Sequence, residues 1–228
     1  MKGELRLKNL PKTSELFDVE HTICRELFYE VDYAYEIIPE IKSFIGVLAG
    51  KLGKDYLEIK RGVFVAEDTK IAEGATILAP AIIGHGVEIR PGAYLRGSVI
   101  IGDGAVIGNS TEVKNSIIFD GAKLPHYNYV GDSIIGYNAH MGAGSIASNQ
   151  RLDKAEISIE YDGELQSLGL RKMGVLLGDY AEVGCGSVIC PGSIIGREAV
   201  IYPLSLVKGI IPEACVYNGK AIKEKRIK

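Results

Sequence analysis

Large apolar residues recur at every sixth position along most of this 228-residue chain. The positions are Val65, Ile71, Ile77, Ile83, Ile89, Leu95, Ile101, Ile107, Val113 and Phe119, and then Leu177, Val183, Ile189, Ile195, Ile201 and Val207. Neither the helical period of 3.6 residues nor the two-residue alternation of a strand gives this spacing. A short strand followed by a turn does, and it predicts a solenoid whose interior takes one large side chain from each repeat.

This spacing resembles the hexapeptide-repeat family, in which three repeats form one triangular coil of a left-handed parallel β-helix. The resemblance covers about residues 59–219 and implies an all-β solenoid. The left hand is implied by the resemblance alone, because the usual crossover rule favours the opposite hand. Members of the family are typically trimers with sites between neighbouring helices, so the resemblance also implies a homotrimer.

The repeat is interrupted twice. After Phe119 the register fails and resumes at Ile135 and Met141, so we expect the residues between them to leave the regular coil. A second interruption covers about residues 149–174, which is long for a loop without structure of its own, and such excursions are often functional. It is either a flap or hairpin over a neighbouring subunit or an insertion that only stabilises a trimer.

Residues 1–58 lack the six-residue period and predict an α-helical appendage. Thr13 or Ser14 is the predicted N-cap of a first helix, and Pro39 suits the first position of a second. We expect this helical pair to pack on another part of the chain. The apolar positions at helical spacing are Leu16, Phe17, Val19, Ile23, Leu27 and Phe28 in the first helix and Ile41, Phe44, Ile45 and Leu48 in the second.

Composition and charge argue against a nucleic-acid-binding, membrane-spanning or secreted protein. A net charge of −3 and a pI near 5.9 argue against non-specific nucleic-acid binding, which needs a basic surface. No apolar run approaches the ~18 residues of a membrane span, and no signal peptide is evident at the N-terminus. No two of the four cysteines form a Cys-x-x-Cys motif. We therefore expect them to be reduced thiols in a cytoplasmic protein. Residues 220–228 form a basic tail, either solvated or in contact with the phosphates of coenzyme A.

Polar residues concentrate between Asn109 and Asn149 and carry a closer resemblance. The motifs are Arg90-Pro91-Gly92-Ala93, Asn109-x-x-Glu112-Val113-Lys114, His126-x-x-Tyr129-x-Gly131-Asp132, Ile135-Gly136, Gly142-Ala143-Gly144 and Asn149. In order and spacing they resemble the acetyltransferase half of bifunctional N-acetylglucosamine-1-phosphate uridyltransferase/glucosamine-1-phosphate acetyltransferase. The resemblance implies acetyl-CoA as cofactor and an amino-sugar phosphate, similar to glucosamine-1-phosphate, as substrate.

The same resemblance assigns roles to individual residues. It implies that His126 is the general base and that Ala143 and Cys185 contact acetyl-CoA, mostly through backbone groups. It implies that the sugar phosphate is bound by Arg90, Lys114, Tyr129, Asn149 and His140. His140 stands where the family has Asn, and this departure puts the identity of the sugar in doubt.

These residue types suit N-acylation. An amine that attacks a thioester must lose a proton, and a neutral His with an ordinary pKa of about 6.5 can accept it near neutral pH. Arg and Lys supply fixed positive charge for a phosphate, and N–H groups at Gly-rich corners can hold the thioester oxyanion. We therefore predict an acetyl-CoA-dependent N-acyltransferase of nucleotide-sugar biosynthesis, with no metal.

Two other functions fit the fold. One is a non-catalytic trimeric scaffold, or a regulatory relative of UDP-N-acetylglucosamine pyrophosphorylase and other sugar-phosphate nucleotidyltransferases, because no Gly-rich nucleotide loop appears near the N-terminus. The other is a γ-class carbonic anhydrase with zinc on His85, His126 and His140, although their spacing lacks the close His pair of that family. Binding of acetyl-CoA separates the scaffold from the acyltransferase, and stoichiometric zinc would identify the anhydrase.

Overall fold

The computed structural model describes residues 10–161 and 163–224. Short strands from successive coils stack in parallel into three sheets, here named faces A, B and C in the order in which the chain meets them. Face A contains Val63–Ala66, Ala81–Ile83, Val99–Ile101, Ser116–Ile118, Ile134–Ile135, Val175–Leu177, Ser193–Ile195 and Ile210–Ile211, which begin coils 1 to 8. The predicted left-handed parallel β-helix with an N-terminal appendage is confirmed.

The other two faces are built from shorter strands. Face B contains Lys70–Ile71, Glu88–Ile89, Val106–Asn109, Lys123–His126, His140–Met141, Glu182–Val183, Val200–Ile201 and Cys215–Tyr217. Face C contains Thr76–Ile77, Tyr94–Leu95, Glu112–Lys114, Tyr129–Gly131, Ile146–Ala147, Val188–Ile189 and Leu206–Val207. The inward side chains of all three faces form one continuous apolar core.

The first interruption predicted from the sequence is wrong. The chain between Phe119 and Ile135 stays in the solenoid as most of coil 4, because coils 3 and 4 are each one residue shorter than coils 1 and 2. Ile83 pairs with Ile101, eighteen residues on, whereas Ile101 pairs with Ile118 and Ile118 with Ile135, each seventeen residues on. Ile118 therefore takes the inward position, and Phe119, predicted to face the interior, lies outside the coil.

Face A is apolar on both sides. Next to each inward residue stands an outward one, and these outward residues, at most 1% exposed, are Ile82, Ile100, Ile117, Ile134, Leu176 and Ile194. They form a second core with the N-terminal segment, which lies over this face. Burial of each such side chain is worth about 1.5–3 kcal/mol, so face A is closed to other partners.

The N-terminal segment contains less α-helix than predicted. The α-helices are α1 (Thr13–Leu16) and α2 (Ile41–Ala49), and the 3₁₀ turns between them are Val19–His21, Arg25–Phe28 and Ala34–Glu40. The second predicted helix is confirmed, although Pro39 lies in the preceding 3₁₀ turn. The first is wrong beyond α1, and its N-cap position is Lys12, not Thr13 or Ser14.

Contacts with the solenoid explain why the first helix stops. Phe17 and Phe28 both pack on Phe119, with ring centroids 5.3 and 5.5 Å away. The His21 carbonyl accepts a hydrogen bond from the Asp120 N–H at 3.1 Å, in the corner between faces A and B. These tertiary contacts outweigh the helical propensity of the segment.

Each end of the solenoid carries an antiparallel strand. Tyr56–Lys60 pairs with the first strand of face A. Ile222–Glu224 pairs with Cys215–Tyr217 on face B, so part of the predicted basic tail is a strand. Residues 225–228 of that tail lie outside the described residues.

The second interruption contains an antiparallel hairpin, Ser158–Tyr161 with Glu164–Ser167. Ile157 is fully buried and touches the coil at Gly192, where a Cβ would overlap its methyl group. The hairpin therefore packs on its own chain, and its contact with a neighbouring subunit stays a prediction.

Candidate active site

His126, Ala143 and Cys185 lie one below another at the corner between faces B and C. The Gly144 N–H donates to the His126 carbonyl at 3.0 Å, and the Gly186 N–H donates to the Ala143 carbonyl at 2.8 Å. These bonds join equivalent corners of coils 4, 5 and 6, which are about 4.8 Å apart. The proposed base and the proposed cofactor contacts thus share one strip of surface about 10 Å long.

The His126 ring is exposed and makes no hydrogen bond with any residue in the described ranges. Its main chain, in contrast, is held on both sides. The N–H donates to Asn128 Oδ1 at 3.2 Å, and the carbonyl accepts from coil 5. A histidine with a fixed backbone and a free ring can bind an external proton donor.

Tyr127, the next residue, occupies the left-handed region with φ 51° and is 64% exposed. Gly92, Gly144 and Gly186 hold the equivalent corners of three other coils, and Ser110 and Leu204 those of two more, all at positive φ. A non-glycine residue in this region costs about 1–2 kcal/mol. The ring of Tyr127 stands in solvent beside His126.

Lys114, Tyr129 and Asn149 meet at the other edge of face C. Lys114 Nζ lies 3.4 Å from Asp132 Oδ2, and Asn149 Nδ2 donates to the same oxygen. The Tyr129 hydroxyl donates to Asn149 Oδ1 at 3.3 Å. Three of the five predicted sugar-phosphate residues thus form one network.

Glycine at position 131 makes this network possible. A Cβ there would lie 2.7 Å from both Asn149 Nδ2 and the Tyr129 hydroxyl. Burial, and then the nearby carboxylates of Glu112 and Asp132, raise the pKa of Tyr129. The phenol therefore stays protonated and acts as a hydrogen-bond donor.

Arg90 and His140 lie on face B, away from this network. Arg90 donates to both oxygens of Glu88 at 3.1 Å, and this hydrogen bonding holds the pKa of Glu88 below its usual range. His140 Nδ1 lies 2.9 Å from Glu182 Oε2. A single chain therefore divides the predicted substrate residues between two faces on either side of the His126 corner.

Sequence reasoning missed two residues that organise the site. Asn128, 2% exposed, bonds both His126 and the next coil. Asp132, 5% exposed, accepts from Lys114, Asn149 and also Asn115 Nδ2 at 2.8 Å. The sequence signal for Asn128 was its place in a series of Ser and Thr residues that precede the face C strands.

The three histidines of the zinc alternative lie in separate places. His126 is at the corner of faces B and C, and His140 is on face B. His85 is at the corner of faces A and B, between Asp55 (2.8 Å) and Asp68 (2.9 Å). Among residues 10–161 and 163–224, no group of three or more His, Cys, Asp or Glu side chains could hold a metal ion.

In the same ranges, no helix is long and apolar enough to cross a membrane.

Comparison with known proteins places these residues in context. Residues 77–160 match the family model described as the GMPPB C-terminal domain. A bifunctional sugar-1-phosphate nucleotidylyltransferase/acetyltransferase from Sulfurisphaera tokodaii is 41% identical over 154 residues, which are 68% of this chain and 38% of that protein. The bifunctional protein GlmU of Methanococcus aeolicus is 34% identical over 193 residues, 84% of this chain and 46% of that protein.

The chain spans less than half the length of these relatives. Among solved structures, a hexapeptide transferase family protein from Anaplasma phagocytophilum has a TM-score of 0.40 and 22% identity, and covers 73% of this chain and 81% of that one. A likeness at that level says nothing about the reaction. The predicted relationship is nevertheless confirmed by the sequence matches: the chain is a hexapeptide-repeat β-helix related to bifunctional sugar-1-phosphate nucleotidylyltransferase/acetyltransferases.

Proposed function

We propose that the chain transfers an acyl group, acetyl in the first instance, from coenzyme A to the amine of an amino-sugar phosphate similar to glucosamine-1-phosphate. One observation carries the proposal: the free ring of His126 stands directly above Ala143 and Cys185 on one corner strip. A thioester held along that strip lies within reach of the base. The names of the relatives, which include acetyltransferase, point to the same class of reaction.

In the proposed step the amine nitrogen attacks the thioester carbonyl carbon. A C–N bond forms, the C–S bond breaks, and coenzyme A leaves as a thiolate that takes up a proton. His126 accepts the proton that the amine loses, which is the usual task of a positioned base near neutral pH. A corner N–H group that is not already bonded between coils, as those of Gly144 and Gly186 are, would hold the oxyanion.

The proposed phosphate contacts are Lys114 and Arg90, with Tyr129, Asn149 and His140 on the sugar. Each of the two cations already has a carboxylate partner, Asp132 at 3.4 Å and Glu88 at 3.1 Å. A phosphate must compete with these carboxylates or join the existing pairs. This pairing is the one observation that favours the alternative, a non-catalytic scaffold.

We also infer a homotrimer, because the predicted substrate residues lie on faces B and C and a neighbouring copy would bring the two faces together. Light scattering tests this against the chain mass of 24.6 kDa. A mass near that of one chain at micromolar concentration would remove the shared site. All four cysteines fall in the described ranges and are free thiols, which supports the inferred cytoplasmic location.

The decisive experiment replaces His126. His126→Ala should lower kcat by roughly 10²–10⁴-fold, the usual contribution of a general base, with little change in acetyl-CoA affinity. Lys114→Ala should instead weaken binding of the sugar phosphate. His21→Ala is the matched control, because His21 lies in the N-terminal segment and stacks on Tyr137, far from the corner strip.

His140→Asn restores the residue of the related acetyltransferases and should raise activity on glucosamine-1-phosphate if the acceptor has diverged. A His126→Ala protein that acetylates as fast as the parent would end the proposal of base catalysis. Absence of acetyl-CoA binding in the parent would establish the scaffold instead.

A further inference from the structure

We propose that Asn128 is a positioning residue for the reaction proposed above, on which this inference rests: it fixes the height of His126 above the corner that carries Ala143. Asn128 is 2% exposed, so its amide has no access to bulk water. It follows His126 by two residues and lies behind the corner, inside the solenoid. Its contacts join coil 4 to coil 5.

The amide of Asn128 bonds in two directions. Its Oδ1 accepts the His126 N–H at 3.2 Å, within its own coil. Its Nδ2 donates to the Gly142 carbonyl at 2.8 Å and to Ser145 Oγ at 3.0 Å, both in the next coil. Gly142 and Ser145 bracket Ala143, so a single side chain bonds both the base and the proposed cofactor corner.

Four other coils fill this position with hydroxyl side chains, whereas coils 1 and 2 have Ala75 and Ala93 there. Thr111, Ser145, Ser187 and Ser205 are all buried. Ser145 and Ser205 donate to a carbonyl of their own coil, each at 2.7 Å. Ser187 donates to the Tyr202 carbonyl of the next coil at 3.1 Å. In the described part of this series, only the Asn128 side chain accepts a hydrogen bond from a corner N–H of its own coil and also donates one to the next coil.

The consequence is a His126 backbone that is held from both coils. Its N–H is bonded to Asn128, and its carbonyl is bonded to the Gly144 N–H at 3.0 Å. A catalytic group must be held within about 0.5 Å of its productive position, and a displacement of about 1 Å can cost 10²-fold in rate. A serine in place of Asn128 is too short to make both sets of bonds.

The test separates positioning from simple stabilisation. Asn128→Ser keeps a hydroxyl in the series but loses the bridge, and we expect kcat to fall by about 10–100-fold with KM for both substrates changed less than about threefold. Asn128→Thr should behave alike. Ser187→Ala, two coils away in the same buried series, is the matched control and should lower the melting temperature while leaving kcat unchanged.

Amide hydrogen exchange supplies a readout that does not depend on activity. Asn128→Ser should raise exchange of the His126 N–H at least tenfold and leave the amides of coil 7 unchanged. Unchanged exchange of the His126 N–H in the Asn128→Ser protein would overturn the inference. If His126→Ala is inactive, a second contradicting result is an Asn128→Ser protein with raised exchange at His126 and an unchanged kcat. If His126→Ala is fully active, the proposed base role of His126 fails while acyl transfer stands, and exchange alone then decides whether Asn128 holds the corner.

Discussion

Asp120 makes the stability of this fold depend on pH in the acidic range. It lies at the corner of faces A and B, where its Oδ1 accepts the Asp103 N–H at 2.8 Å. Burial, against the opposing effect of that hydrogen bond, raises the pKa of Asp120 from 3.8 to about 6, and repulsion from Asp103 adds to the increase while His21 reduces it. The folded protein therefore binds this proton more tightly than the unfolded chain does.

The sign of the effect follows from this difference. Between about pH 4 and 6 the folded state holds the proton and the unfolded state has lost it, so stability falls as pH rises through that window. A pKa moved from 3.8 to about 6 corresponds to at most roughly 3 kcal/mol. Because Asp120 keeps partial contact with water, we discount this to about 1–2 kcal/mol.

Asp120→Asn should therefore raise the free energy of unfolding at pH 7 by about 1–2 kcal/mol and flatten its dependence on pH between 4 and 6. The amide oxygen can still accept the Asp103 N–H, so the corner keeps its hydrogen bond. Urea denaturation at several pH values measures both effects. Asp32→Asn, at a more exposed carboxylate 3.8 Å from Lys12, is the control and should change stability by less than about 0.5 kcal/mol. A variant that keeps the parent's pH slope would refute the reasoning.

Three further outcomes are expected. Phe119→Ala should cost about 3–5 kcal/mol of unfolding free energy, because the ring is fully buried under the N-terminal segment; a loss below 1 kcal/mol in chemical denaturation would contradict that packing. Tyr127→Gly should stabilise the fold by about 0.5–1 kcal/mol, since relief of left-handed strain exceeds the added entropy of the unfolded chain. Tyr180→Gly, at φ 59°, makes the same substitution at another corner for comparison. Burial lowers the pKa of His85, but hydrogen bonds to Asp68 and Asp55 outweigh it and raise the pKa above its ordinary value. The stabilisation from His85 is therefore complete in acid and lost as pH rises through the folded pKa. The melting temperature of His85→Gln should differ from that of the parent more at pH 6 than at pH 9.

The architecture was predictable because one large inward residue per hexad is required wherever a coil closes on itself. The second layer on face A was predictable too, although it was not predicted. An outward apolar residue precedes the inward one in strand after strand of face A, as in Ile82–Ile83 and Ile100–Ile101. The same phase of faces B and C mixes polar residues such as Lys70 and Glu88 with apolar ones such as Ile146. Adjacent apolar residues at a fixed phase of the repeat indicate a strand buried on both sides.

Two features could not be read from spacing. A coil of seventeen residues shifts every later position by one, and Phe119 then agrees with the old register by accident while Ile118 faces inward. The length of the first helix was decided by Phe17 and Phe28 packing on that same ring. In the second case a long-range contact overrode the local pattern.

The candidate site shows the same division between local and long-range information. His126, Ala143 and Cys185, which the resemblance singled out, lie on one line because equivalent positions of successive coils must stack. It could not show that Arg90 and Lys114 would lie on different faces. The N-terminal segment closes face A, so only faces B and C remain open to a neighbouring copy. If one substrate contacts both cations and His126, face B of one copy must meet face C of another, and the predicted site is then a property of the assembly and not of the chain.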